Sequence, residues 1–157
     1  MTRKVLTLAM VRKANDILLG LKKKGFGEGK WNGFGGKVEN GETIYEGAVR
    51  ELEEESGLIA KNMTKTGILE FEFVGDPVIL EVHVFDVTKF EGDPTESEEM
   101  KPQWFSTDEI PYEKMWPDDR FWYPLYLKGN KFKGYFLYQG FDTILKHTLN
   151  EVDDLPT

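Results

Sequence analysis

Residues 33–58 read GFGGKVENGETIYEGAVRELEEESGL, a glycine-rich stretch followed by a segment with the pattern of a single helix. Thr43 and Glu46 have the spacing of a capping box, which predicts a helix over 43–56, and Gly57 is a natural residue to follow its end. The last turns of this helix gather four glutamates, although the helix dipole disfavours negative charge there. Local stability therefore does not explain why these glutamates are present.

A helical wheel places the acidic side chains beside an apolar stripe. At roughly 100° per residue, Ile44, Ala48 and Leu52 form the predicted buried stripe, with Val49 beside them. Glu46 and Glu53 point away from this stripe. Three other glutamates cluster on its flank, namely Glu51, Glu54 and Glu55. Arg50 lies one turn before Glu54, where it can pair with that carboxylate and orient it.

Two interpretations of this acidic flank remain open. Unfavourable pairs between like charges on a helix cost only roughly 0.2–0.5 kcal/mol each, so a solvated acidic face is tolerable. However, the acids border a buried stripe, where desolvation makes repulsion more expensive, and they follow glycines that let backbone carbonyls approach a ligand. Three carboxylates on one helix edge provide the oxygen ligands that Mg²⁺ and Mn²⁺ prefer.

Composition narrows the class of ligand. The chain has 157 residues, a net charge of −8, two histidines and no cysteine, so it has no disulfide framework and no thiolate metal site. The acidic balance argues against a nucleic acid polymer as partner. A small phosphorylated ligand is compatible with it if divalent cations lie between the carboxylates and the phosphates. No apolar run approaches the roughly 18 residues that span a bilayer, so we expect no membrane association.

The rest of the chain reads mainly as strands. A turn signal, Gly75-Asp76-Pro77, separates the two strongest strand patterns. The predicted strands are 4–12, 16–23, 66–74, 78–87, 102–106, 132–139 and 142–151. A second helix is predicted from Asp118-Asp119, which can cap it, to about Lys128. We therefore expect one α+β domain over residues 1–157, with a mixed sheet covered by helices.

The stretch MWPDDRFWYP, residues 115–124, suggests a second site. Trp116 and Trp122 flank the adjacent acids Asp118 and Asp119. Aromatic faces stack on nucleobases, and two neighbouring carboxyls that share one proton offer a donor and an acceptor to a purine edge. The same residues also form a good helix start, with capping aspartates and tryptophans packed in the core. From the residues alone, the two interpretations are equally favoured.

The glutamate helix resembles the signature of a known family. Gly36, Glu42 and the run RELEEESGL at 50–58 match the Nudix box at every defined position. The resemblance implies an α/β/α sandwich with a mixed central sheet, a Nudix box over 36–58, and hydrolysis of a nucleoside diphosphate linked to another group. It implies Mg²⁺ as cofactor, with Mn²⁺ able to substitute, held by Gly36, Glu51, Glu54, Glu55 and Glu99. The implied catalytic residues are Glu55, Glu51, Glu54 and Arg50, whereas Glu42 is expected to support the loop.

Nearly the whole chain is similar to MutT-like members of this family. The matching stretches include KKKGFGEGKWNGFGGKV, FEFVGDP, MWPDD and FKGYF. The resemblance implies a substrate pocket formed by Thr7, Lys22, Phe26, Asn32, Phe34, Gly35, Gly36, Lys37, Phe71, Phe73, Leu80, Met100, Trp116, Pro117, Asp118, Asp119 and Trp122. Two positions depart from the family pattern: Leu80 stands where the family has a methionine, and Tyr138 stands where it usually has a phenylalanine. These departures bear on the ranking of substrates.

The expected activity follows from this resemblance. It implies conversion of oxidised purine nucleoside triphosphates to monophosphate and pyrophosphate, which prevents their misincorporation into DNA. Expected substrates are 8-oxo-dGTP and 2-hydroxy-dATP, with O6-methyl-dGTP as a third candidate. The alternatives are another Nudix substrate, such as ADP-ribose, a dinucleoside polyphosphate or an mRNA cap, and a nucleotide-binding module without catalysis. We expect a monomer in the cytoplasm, with the mitochondrial matrix and the nucleus as further compartments.

Overall fold

The computed structural model describes residues 2–156 and contains one eight-stranded mixed sheet and two α-helices in that part of the chain. The strands are β1 Thr2–Lys13, β2 Asp16–Lys22, β3 Trp31–Asn32, β4 Ile59–Phe73, β5 Val78–Glu91, β6 Met100–Ser106, β7 Lys131–Gln139 and β8 Thr143–Val152. The helices are α1 Ile44–Ser56 and α2 Asp119–Leu127, and a 3-10 turn covers Tyr112–Lys114. The strand order is β3-β2-β1-β5-β4-β7-β8, with β6 paired to the other edge of β2.

The sheet is mixed because β1 runs parallel to β5 and β4 runs parallel to β7, whereas the other pairs are antiparallel. Strands β1 and β2 pair only near the turn between them, at Val11–Lys13 and Asp16–Leu18. Beyond that point they separate, and the glycine-rich segment lies against the freed edge of β1. Phe34 and Ala9 exchange backbone hydrogen bonds there, and the Thr7 amide donates to the Gly36 carbonyl at 2.9 Å.

The two faces of the sheet bury separate cores, as the period of two along β1 illustrates. Met10 faces the α2 side, and its neighbours Ala9 and Val11 face the α1 side. Trp122, Tyr123 and Tyr126 of α2 pack into the first core. The main buried residues of the second core are Leu18, Phe34, Ala48, Leu52, Phe85 and Val87. This arrangement confirms the predicted α/β/α sandwich.

Helix α1 begins and ends as its sequence predicts. The Thr43 hydroxyl accepts from the Glu46 amide at 3.0 Å, and the Glu46 carboxylate accepts from the Thr43 amide at 2.8 Å. Gly57 has φ 79°, which is the left-handed conformation that terminates helices. Ala48 and Leu52 are fully buried. The capping box and the buried stripe are therefore confirmed.

Three features differ from the sequence predictions. Strand β4 begins at Ile59 rather than 66, because bulges between Ala60 and Gly67 interrupt the alternation of buried and exposed residues. Strand β3 has only two residues, which is too short to show a period. Asp118 precedes α2 but makes no side-chain capping hydrogen bond, since its carboxylate is engaged elsewhere. Among residues 2–156, no helix combines the length and apolarity needed to cross a membrane.

Candidate active site

A cavity of about 870 Å³ opens on the α2 side of the sheet. Its walls come from β1, β4 and β5, from the glycine-rich segment and from the start of α2. The structure brings most of the predicted site residues to its lining: Thr7, Lys22, Phe26, Asn32, Gly35, Gly36, Lys37, Glu55, Phe71, Phe73, Leu80, Met100, Trp116, Asp118, Asp119 and Trp122. Residues far apart in sequence therefore converge on a single cavity.

Two predicted substrate contacts are not placed on this lining. The Phe34 side chain is fully buried in the core under α1, because the pleat turns it away from the α2 side. The Phe34 ring therefore packs in the core, and the predicted contact of this residue with substrate stays a prediction. Pro117 also does not line the cavity, although its neighbours Trp116 and Asp118 do.

Glu55 lies in the last turn of α1 and is only 5% exposed. Its Oε1 accepts a hydrogen bond from the Gly35 amide at 2.9 Å. The pKa of Glu55 is raised to about 7. Burial is the main cause and the charges of Glu51 and Glu99 add to it, whereas the Gly35 amide and Lys22 lower the pKa. A carboxyl with this pKa can take up or release a proton near neutral pH.

Arg50 connects α1 to the glycine-rich segment. Its guanidinium makes a bidentate pair with Glu42, at 2.9 and 2.7 Å, and donates to the Lys37 carbonyl at 3.0 Å. It also binds Glu51 at 2.8 Å and Glu54 at 3.2 Å. The hydrogen bonds from Arg50 and from the Glu39 amide lower the pKa of Glu42 to about 2. Arg50 thus orients Glu54, as predicted, while Glu42 supports the loop.

The end of α1 and the glycine-rich segment bring together oxygen atoms of the kind that a divalent cation binds, from Gly36, Glu51 and Glu55. A Cβ on Gly36 would lie 2.7 Å from the Glu51 carboxyl carbon, so the glycine backbone and this carboxylate are in direct contact. The mutual repulsion of Glu51 and Glu55 is the electrostatic situation that a bound cation relieves. Gly36, Glu51 and Glu55 therefore fit a divalent cation.

The other predicted metal ligands lie further out. The Glu54 side chain is 59% exposed, and Glu99 pairs with Lys22 at 3.0 Å. Within residues 2–156, no three histidine, aspartate or glutamate side chains form a ready-made cation site. Glu54 and Glu99 would have to turn inward to join Glu51 and Glu55.

The opposite part of the cavity holds the adjacent acids Asp118 and Asp119, which are almost completely buried. Asp118 Oδ2 accepts from Trp122 Nε1 at 2.8 Å, and Oδ1 accepts from the Tyr138 hydroxyl. Asp119 Oδ2 has no hydrogen-bond partner within the protein. Burial raises the pKa of both acids, and the charge of Asp118 raises that of Asp119 further.

Aromatic side chains form the mouth of the cavity. Phe26 is 56% exposed, and its ring centroid lies 5.1 Å from that of Trp116. Phe73 stacks on Tyr138 with centroids 5.4 Å apart. Phe141, in the turn between β7 and β8, meets the Phe26 ring edge-on at 5.5 Å. This arrangement provides flat apolar surfaces around a ligand that reaches the buried acids.

Sequence reasoning missed several residues of this mouth. Lys30 lies with its Nζ 5.2 Å from the Trp116 ring and lines the cavity, as does Phe141. The Tyr138 hydroxyl also reaches the acid pair, although the sequence marked this residue only as a departure from the family pattern. An exposed phenylalanine next to a turn glycine is the signal that could have found Phe141.

Comparison with known proteins agrees with this geometry. Residues 1–126 match the NUDIX domain model. The chain is 53% identical to the oxidized purine nucleoside triphosphate hydrolase of Danio rerio, over 98% of this chain and 99% of that protein. The corresponding protein of Mus musculus is 54% identical over 97% of both chains. The crystal structure of a MutT protein from Bacillus halodurans superposes with a TM-score of 0.84 at 28% identity, covering 94% of this chain and 97% of that one. The chain therefore belongs to the Nudix family.

Proposed function

We propose that this protein hydrolyses oxidised purine nucleoside triphosphates to the monophosphate and pyrophosphate, and so keeps damaged bases out of DNA. The observation that carries the proposal is the buried pair Asp118–Asp119, which lies beneath an aromatic mouth in the same cavity as Glu55 of the Nudix helix. The names of the two vertebrate relatives support the same substrate class.

The acid pair and its neighbours provide the base-recognition end. A protonated Asp119 donates a hydrogen bond to a purine acceptor, and Asp118 accepts from a purine donor. The Asn32 Oδ1 accepts a hydrogen bond from the Gly33 backbone amide at 2.8 Å. The side-chain Nδ2 of Asn32 can therefore donate to the base. Stacking on an aromatic face is worth roughly 1–3 kcal/mol per base, and the Trp116 ring at the mouth is suited to it.

The α1 end of the cavity provides the chemistry. Gly36, Glu51 and Glu55 would hold Mg²⁺, with Glu54 and Glu99 as further ligands, and Mn²⁺ can substitute. Such a cation supplies neutralisation of phosphate charge and activation of the attacking water.

The residues of α1 divide the remaining tasks. Glu55 is placed to take the proton of the attacking water, because its carboxylate lines the cavity at the end of α1 beside the Gly35 amide. Arg50 keeps Glu51 and Glu54 oriented. Lys22, at the end of β2, lines the cavity and attracts the phosphates by its positive charge.

We further propose that residues 1–157 form a single Nudix domain that acts as a monomer on free nucleotides. The cytoplasm is the proposed main compartment, with the mitochondrial matrix and nucleus in addition. The net charge of −8 supports a free nucleotide as ligand, because it repels the phosphate backbone of a nucleic acid polymer.

A nucleotide panel tests the proposed activity. Pyrophosphate release would be measured with Mg²⁺ on 8-oxo-dGTP, 2-hydroxy-dATP, O6-methyl-dGTP and dGTP, and phosphate-ester products would be measured with ADP-ribose. We expect kcat/KM for the oxidised purines to exceed that for dGTP by about tenfold or more, since one well-made hydrogen bond supplies that discrimination. Faster turnover of ADP-ribose, or binding of nucleotides without turnover, would contradict the proposal.

A further inference from the structure

Tyr138 on β7 is fully buried below the cavity and reaches the acid pair from the sheet. Its hydroxyl donates to Asp118 Oδ1 and accepts from the Asp118 backbone amide at 3.0 Å. Trp122 Nε1 donates to the other carboxylate oxygen at 2.8 Å. Each oxygen of Asp118 thus receives a hydrogen bond from a neutral donor, which favours the ionised form of this carboxyl.

Asp119 is less well stabilised as an anion: the Trp122 indole also lowers its pKa, but the hydrogen bond between Asp118 and Asp119 raises it. Asp119 is 2% exposed, lines the cavity, and its Oδ2 has no partner within the protein. Two adjacent buried carboxyls cannot comfortably both ionise, so the pair holds one proton. Because Asp118 is stabilised as the anion, the proton stays on Asp119.

The other titratable groups around the pair do not alter this assignment. Lys30, from the loop before β3, lowers the pKa of Asp119, but burial and Asp118 outweigh it. Tyr112 on the 3-10 turn and Tyr123 on α2 also face the pair, and burial raises the pKa of both phenols, so they remain neutral.

We infer that Tyr138 is a positioning residue that assigns the shared proton to Asp119 and thereby sets which purine edge the site prefers. This inference rests on the proposed function. At position 6, guanine carries an oxygen acceptor and adenine carries an amino donor. A protonated Asp119 matches the 6-oxo edge, whereas an ionised carboxyl matches the 6-amino edge. Tyr138 therefore favours 6-oxo purines, such as 8-oxo-dGTP, over 6-amino purines, such as 2-hydroxy-dATP.

The test compares Tyr138→Phe with a matched control, Tyr135→Phe. Tyr135 lies on the same strand, but its hydroxyl binds Glu72 at 2.6 Å away from the cavity. In Tyr138→Phe, we expect the kcat/KM ratio of 8-oxo-dGTP to 2-hydroxy-dATP to fall by about tenfold, because the proton is no longer fixed on Asp119. The control should keep the ratio of the unmodified protein.

The pH profile provides a readout that a purely structural role would not move. The Tyr138 hydroxyl stabilises the ionised Asp118, so its removal raises the pH at which the pair takes up a second proton. We expect the acid limb of kcat/KM for 8-oxo-dGTP to move to higher pH by about one to two units in Tyr138→Phe. Equal loss of both activities with an unshifted limb, or an unchanged ratio, would overturn the inference.

A second measurement requires neither the variant nor catalysis. Carbon-13 NMR of labelled aspartate carboxyls in the unmodified protein reports which acid is protonated at neutral pH. We expect Asp119 to be protonated and Asp118 to be ionised, and the reverse assignment would overturn the inference. Failure of the proposed function would appear separately, as absent hydrolysis of both nucleotides with the carboxyl assignment intact.

Discussion

At the scale of single residues, the carboxyl of Glu55 combines burial with a position at the end of the Nudix helix. We predict that Glu55→Gln lowers kcat by roughly 10²–10⁴-fold, because an amide cannot take up a proton. The fold should persist, since the amide oxygen still accepts from Gly35. Steady-state hydrolysis of 8-oxo-dGTP in Mg²⁺ measures the effect. The matched control is Glu53→Gln, an exposed glutamate of the same helix, and near-normal turnover in Glu55→Gln would contradict this role.

The raised pKa of Glu55 also predicts how stability depends on pH. The neutral carboxyl is favoured in the folded state, so the folded protein binds more protons than the unfolded chain between pH 4.5, the ordinary pKa of a glutamate, and about pH 7. This contribution to the free energy of unfolding is present below pH 4.5 and is lost as pH rises through about 7. The loss should amount to about 3 kcal/mol.

Denaturant unfolding at a series of pH values, with a chelator present, measures this dependence. The comparison is with Glu55→Gln, whose side chain does not titrate. As pH rises, the free energy of unfolding of the unmodified protein should fall relative to that of Glu55→Gln. A difference that stays constant across this range would show that Glu55 has an ordinary pKa in the folded protein.

At the scale of elements, the glycine-rich segment is held against β1 at a distance that excludes a side chain. A Cβ on Gly35 would lie 1.7 Å from the Thr7 carbonyl oxygen. We predict that Gly35→Ala lowers the free energy of unfolding by about 3 kcal/mol or more and abolishes hydrolysis, because it displaces the amide that binds Glu55. The control is Gly41→Ala, where φ is 85° but no atom lies within 4 Å.

Denaturant unfolding and the hydrolysis assay compare the two glycine variants. Gly41→Ala should cost only about 1–2 kcal/mol, from the left-handed backbone alone, and should retain activity. An equal effect of the two substitutions would mean that contact with β1 does not position the segment.

Helix α1 could be predicted almost completely from the sequence, because its caps and its apolar stripe are local signals. The interactions of Arg50 with Glu42 and Lys37 could not be predicted, since they depend on how the loop folds back over the helix. The first half of β4 was missed because bulges disrupt its alternation. The hydrogen bonds of Tyr138 to Asp118 were missed because they join two elements 20 residues apart.

The mouth of the cavity depends on a turn that carries no family motif. We predict that Phe141→Ala raises KM for 8-oxo-dGTP by roughly fivefold or more, because the Phe141 ring packs on Phe26 and Trp116 at the mouth. The kcat should stay nearly unchanged, because Phe141 does not contact the acids of α1. Leu145→Ala is the control, an exposed apolar side chain of β8 outside the cavity. A fall in kcat with KM unchanged would place Phe141 in the chemistry instead.

At the scale of the whole molecule, the sheet brings two separate functions into one cavity. The end of α1 presents Glu51 and Glu55 to the phosphates, and the start of α2 presents Asp118 and Asp119 to the base. The resemblance to the Nudix family indicated both ends from sequence. How far the metal ligands converge could not be predicted, because the rotamers of Glu54 and Glu99 depend on their ion pairs.

The most direct test of this division compares the unmodified protein with Asp119→Ala. The kcat/KM for 8-oxo-dGTP would be measured in Mg²⁺, together with the Mg²⁺ affinity of each protein. We predict that Asp119→Ala lowers kcat/KM by about tenfold or more and leaves Mg²⁺ affinity unchanged, because the variant loses a hydrogen bond to the base and only the base-recognition end is altered. An unchanged kcat/KM, or a loss of Mg²⁺ binding in the variant, would contradict the account.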